Sequence, residues 1–76
     1  MLQIDEEDLI YKKELDGEAL VKDIVNTDHV GSITDDSGKS YWWDTIDKSK
    51  RYFVIKWEHY RNFQPCSWTH YRIQEI

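Results

Sequence analysis

The sequence predicts a mostly β domain, a small curved antiparallel sheet or barrel. Three observations carry that reading. Arg51-Tyr-Phe-Val-Ile-Lys-Trp57 alternates side to side, with Phe53, Ile55 and Trp57 on one face and Tyr52, Val54 and Lys56 on the other. Short β-rich runs at close spacing are separated by polar turns such as Asp35-Asp-Ser-Gly38 and Asp47-Lys-Ser-Lys50. Eleven aromatics, four of them Trp, fall within 76 residues, which enriches the core of a chain too short to bury much surface otherwise.

Taken in order, residues 1–16 admit three readings. Asp5-Glu-Glu-Asp8 ahead of Leu9-Ile-Tyr11 suits a capped helix ended by Gly17. Asp16-Gly17 suits a tight turn between strands Leu9–Leu15 and Glu18–Val25. A disordered acidic arm is the third reading. The chain thus divides into 1–16, an acidic arm or first hairpin strand, and 17–76, the β domain proper. Strands are expected near 19–25, 29–34, 40–45, 51–58 and 68–74. Gly31 inside the second of these marks a bulge or a close approach. Both faces of the fourth carry apolar groups, so it belongs inside the sheet.

Charge is unevenly spread. Residues 1–38 hold eleven acids and three bases, a balance of −8; residues 39–76 hold four acids and seven bases, a balance of +3. Ten of the eleven aromatics lie from Tyr41 onward. A basic, aromatic-rich body joined to an acidic head suggests contact with an acidic or stackable partner. A single cysteine rules out an internal disulfide, and no apolar run approaches a membrane span. A soluble intracellular domain with no membrane partner and no small-molecule substrate is the expectation.

Tyr52-Phe-Val-Ile-Lys-Trp57, then Tyr60, then Cys66-Ser-Trp68, resembles the core of a chromodomain, most closely the first chromodomain of CHD-type ATP-dependent chromatin remodellers. Leu20-Val-Lys-Asp-Ile-Val25 resembles that family's first strand. The resemblance implies a chromodomain-like sheet related to Src-homology-3 barrels, usually closed by a C-terminal helix, with room here for a short helix at either terminus. It implies a nuclear, non-catalytic module of a larger remodelling protein, docking a histone tail, nucleosome or other chromatin protein, with DNA as a second partner. Family members hold methylated lysine in an aromatic cage, where ring faces attract a cation that water solvates weakly. Trp57 and Tyr60 match two cage positions. Ala19 stands where the third aromatic belongs and Gln64 near the helping acid, so the cage is incomplete unless Tyr41, Trp42 or Trp43 completes it.

Lys48, Lys50, Arg51, Arg61 and Arg72, interleaved with aromatics, are the candidate phosphate contacts of a DNA-binding reading. Trp68 is expected in the core. His59, Cys66 and His70 offer three donor atoms, but structural zinc sites favour closer Cys pairs, and no metal or other cofactor is expected. No orienting carboxylate or oxyanion element accompanies Cys66, so no catalytic residue is expected. A different class of function fits the same chain: a self-contained small acidic inhibitor or adaptor, viral or bacterial, which the start at Met1 and closure of a barrel near Ile76 would suit.

Overall fold

The computed structural model describes residues 9–60 and 67–76, with the side chain of Tyr60 excepted. Strand β1 (Leu9–Asp16) runs directly into helix α1 (Gly17–Val25). Strand β2 (Val30–Thr34) follows, then a 3-10 turn at Trp43–Thr45, strand β3 (Arg51–Tyr60) and strand β4 (Ser67–Glu75). The sheet order is β1-β3-β4-β2. β3 pairs antiparallel with both β1 and β4, and β2 pairs parallel with β4. The mostly β reading therefore holds, as does the interior place of β3. The sheet is mixed, however, and the helix sits after the first strand.

Residues 17–25 form a helix where a strand is expected. Asp16 is extended and its Oδ1 accepts the Ala19 N–H at 2.8 Å, an N-cap that opens the helix immediately after β1. Leu20, Val21 and Ile24 then share one buried face at helical spacing. Their β-branched content reads as strand only while that cap goes unrecognised. The Asp16-Gly17 hairpin is likewise replaced: Leu9–Asp16 pairs along β3, from Leu9 opposite Trp57 to Asp16 opposite Arg51. At these residues the strand reading holds and the free-arm reading does not; residues 1–8 lie outside the described residues.

The strand expected at 40–45 reduces to a bridge between Ser40 and Thr34 followed by the 3-10 turn. Thr45 closes that turn, its hydroxyl donating to the Trp42 carbonyl at 2.8 Å and accepting the Trp42 N–H at 2.9 Å. The segment that resembles a chromodomain first strand is α1, while β4 forms where a strand is expected at 68–74.

The core lies between α1 and one face of the sheet. Leu20, Val21 and Ile24 of the helix meet Ile33, Tyr52, Val54, Tyr71 and Ile73, with Ile46 plugging the end near the loop before β3. Gly17 lets that loop approach: a Cβ there would collide with the Asp47 carbonyl oxygen. Its N–H donates to the Lys50 carbonyl at 2.7 Å.

Candidate functional site

An apolar groove of about 430 Å3 runs between α1 and the 3-10 turn. Ile24 and Val25 of α1, Val30 and Ile33 of β2, and Trp42 and Trp43 line it. Trp42 is 68% exposed, Trp43 53% and Val25 60%. Two adjacent tryptophans left this open form a patch of a kind that soluble surfaces keep for contacts.

Local structure fixes them there. Asp35 Oδ1 accepts from the Ser37 N–H, the Ser37 hydroxyl and the Lys39 N–H at 2.6–3.0 Å, folding the turn after β2. Gly38 supplies the φ of 88° that the turn needs. Tyr41 then locks the returning segment to the sheet. Its N–H donates to the Ile33 carbonyl at 2.8 Å and its hydroxyl to Asp35 Oδ2 at 2.9 Å. The Ser37 bond foremost, and the others with it, hold the Asp35 carboxyl down at about 2. β2 is an edge strand, bonded on its outer side at Ile33, with Val30 and Ile33 facing the groove. Asp28, Asp35, Asp36, Asp44 and Asp47 flank the groove-lining residues along the chain, against Lys39 alone among bases between 26 and 47.

The structure thus brings Tyr41, Trp42 and Trp43 together, but away from Trp57. Trp57 is 4% exposed and stacks on His70 with ring centroids 5.5 Å apart. Its ring is not open to a ligand, which corrects the cage reading at this position: on β3 it alternates onto the face opposite α1, where His70 covers it. Ala19 lies on α1. The Tyr60 side chain, Arg61, Gln64 and Cys66 lie outside the described residues. Trp68 is half-buried, its ring edge-on to His29 at 5.9 Å, so the fully buried anchor of this face is Trp57.

The expected phosphate contacts do not converge. Lys50 Nζ sits 2.9 Å from Glu75, Arg51 Nε 3.4 Å from Glu14, and Lys48 lies on the turn beside Gly17. Arg72 lies on β4, with its Nε buried and without a hydrogen-bond partner among the described residues.

Two polar clusters stand apart from the groove, and the first escapes the sequence patterns. Asp23 Oδ2 on α1 accepts from the Tyr11 hydroxyl (2.9 Å), the Tyr71 hydroxyl (2.8 Å) and Lys56 Nζ (3.0 Å). The Lys56 ammonium also lies over both tyrosine rings, at 5.6 and 5.3 Å. Burial pushes the Asp23 carboxyl up, but the bonds from Lys56, Tyr71 and Tyr11 outweigh it and hold it below the usual carboxylate range. Burial first, and the Asp23 charge after it, raise both phenols above theirs, against the Thr27 hydroxyl at Tyr71. This cluster clamps helix to sheet. The second cluster lies on the opposite face, where His70 Nε2 is 2.9 Å from His59 Nδ1 and His70 Nδ1 is 2.7 Å from the Ser32 hydroxyl. The sequence already names His59 and His70 as donors; the strand register sets them side by side and adds Ser32, which no spacing announces.

Among the described residues, no group of three or more His, Cys, Asp or Glu side chains gathers as a metal cluster, and no helix is long and apolar enough to cross a membrane. Comparison with protein families, with curated proteins and with solved structures finds no match to this chain.

Proposed function

We propose that the chain is a non-catalytic interaction module that docks an extended, basic and apolar segment of a protein partner. The observation that carries this reading is the groove itself, with Trp42 and Trp43 standing open beside an edge strand. An extended segment laid in the groove places side chains against Trp42 and Trp43, beside the Ser40–Tyr41 segment that already pairs with the outer edge of β2 at Ile33 and Thr34. The acidic flank favours a basic segment, both in steering and in register. A histone tail has this chemistry. The chromodomain resemblance of Tyr52–Trp57 and Trp68 supports the same choice, and with it a nuclear setting within a larger chromatin protein. DNA is the weaker candidate, because Lys50 and Arg51 already face carboxylates.

Methylation of the docked lysine adds no affinity in this reading, since Trp57 is covered by His70. The test is an NMR titration with histone-tail peptides, methylated and unmethylated, followed at the indole N–H resonances. Trp42 and Trp43 are expected to shift with either peptide while Trp57 stays. Trp42→Ala should weaken binding about 10-fold or more, as expected for an aromatic anchor at the centre of a contact. Millimolar peptide that leaves both exposed indoles unmoved would dispose of the proposal.

A further inference from the structure

His59 and His70 meet on the sheet face away from α1. The register sets Trp57 opposite His70 and His59 opposite Trp68, so the two imidazoles are diagonal neighbours on β3 and β4. Their rings are nearly parallel, 13° apart, with His70 Nε2 2.9 Å from His59 Nδ1. His70 is 7% exposed and closely held. Trp57 lies against one side of its ring. Gly31 leaves the space that a Cβ would take, since one built there would stand 2.6 Å from His70 Cε1. The Ser32 hydroxyl engages Nδ1.

We propose that this pair binds a divalent transition-metal ion of the Zn2+ kind through His59 Nδ1 and His70 Nε2, with water completing the coordination. Ser32 accepts the Nδ1–H of His70, which leaves the Nε2 lone pair pointing at its neighbour. Without metal, His59 fills that gap by donating its Nδ1–H. With metal, His59 takes its other neutral tautomer: the proton leaves Nδ1, a proton is carried on Nε2, and both lone pairs face the ion with no net release of protons. Two nitrogens bound at about 2.0–2.1 Å to a tetrahedral ion stand roughly 3.3 Å apart, so the present separation opens by a few tenths of an ångström and the His59 ring turns until both lone pairs converge on the ion. His59 is half-buried, whereas His70 is buried, so the movement falls to His59. The Ser32–His70 bond is the outer-shell contact that fixes a ligating imidazole in one tautomer and orientation. The site lies on the sheet face opposite the helix and does not depend on the docking groove.

The experiment is a ZnCl2 titration of the full chain, read by long-range imidazole 15N NMR. His59 Nδ1 and His70 Nε2 are expected to shift saturably, one ion per chain, while the His29 ring stays. His59→Gln should lower affinity at least tenfold with the amide spectrum intact. Ser32→Ala should lower it about tenfold, the effect typical of a lost outer-shell partner. An absence of saturable imidazole shifts at millimolar Zn2+ overturns the proposal, and so does equal affinity in His59→Gln, which would place the ion elsewhere. The wild-type imidazole spectrum decides the matter even if a variant fails to fold.

Discussion

At the scale of single residues, Asp23 and its phenols set the pH limits of the fold. The folded carboxyl is held low, so its contribution is complete above the unfolded value near pH 4 and is lost as pH falls through the folded one. The tyrosines run the other way. Their folded values are raised, so their contribution is complete below about pH 10 and drains away above it, as the unfolded chain gives up its phenolic protons first. Urea midpoints measured across pH should therefore drop at both ends. Asp23→Asn should flatten the acid limb and, by removing the partner of a nearly buried Lys56 ammonium, cost about 1–3 kcal/mol at neutral pH. Tyr71→Phe should shallow the alkaline limb; an unchanged slope would show that the Tyr71 phenol does not feel Asp23. None of this was legible in the sequence, because Tyr11, Asp23, Lys56 and Tyr71 come from four elements and share no spacing. Gly31 was legible. The register shifts between Val30 and Ser32, and the missing Cβ admits the His70 ring, so the bulge and the close approach read from one glycine are both present. Gly31→Ala should cost about 1–3 kcal/mol by forcing that ring aside, and the His59 and His70 resonances would report the displacement.

Elements were legible where the pattern of apolar residues is long enough to outvote local signals. The alternation of 51–58 gave β3, and the aromatic and β-branched runs near 29–34 and 68–74 gave β2 and β4. Residues 17–25 show the opposite case. Leu20, Val21, Ile24 and Val25 fit a strand by propensity and a helix by spacing, and one side chain decides: Asp16, which reads as a turn residue before glycine and acts as an N-cap. Asp16→Ala should therefore destabilise the domain by about 1 kcal/mol, whereas in a hairpin turn the loss would fall on the β1 signals alone. Amide hydrogen exchange separates the two, since loss of the cap must first lower protection at Ala19 and its neighbours. Gly17→Ala is a harsher change at the same joint. Its Cβ would meet the backbone of Asp47 and Lys48, which has no flexible tip to yield. The 40–45 segment failed as a strand for a different reason: Thr45 bonds back onto Trp42 and turns the chain before a ladder can form.

For the whole molecule, composition conveyed class and not connectivity. The charge division at residue 38 suggested an acidic head hinged on a basic body, yet acids and bases interleave in space, as Lys50 with Glu75 and Arg51 with Glu14 show. The parallel pairing of β2 with β4 has no local signature, because it depends on α1 carrying the chain across the sheet face between opposite edges. Of the groove, Trp42 and Trp43 were legible as candidate contact residues but not their place, since that follows from α1 and β2 meeting beside them. This wiring makes β1 indispensable. It covers one edge of β3 along the full run from Leu9 to Asp16, adds Tyr11 and Leu15 to the core margin, gives the Tyr11 hydroxyl to Asp23 and ends in the cap of α1. A chain begun at Gly17 loses all four at once, and for a domain this small such a loss exceeds the few kcal/mol that separate folded from unfolded. The truncated chain should show collapsed amide dispersion and no cooperative urea transition. A dispersed spectrum from it would mean that α1 and three strands fold alone, and that β1 is an appendage after all.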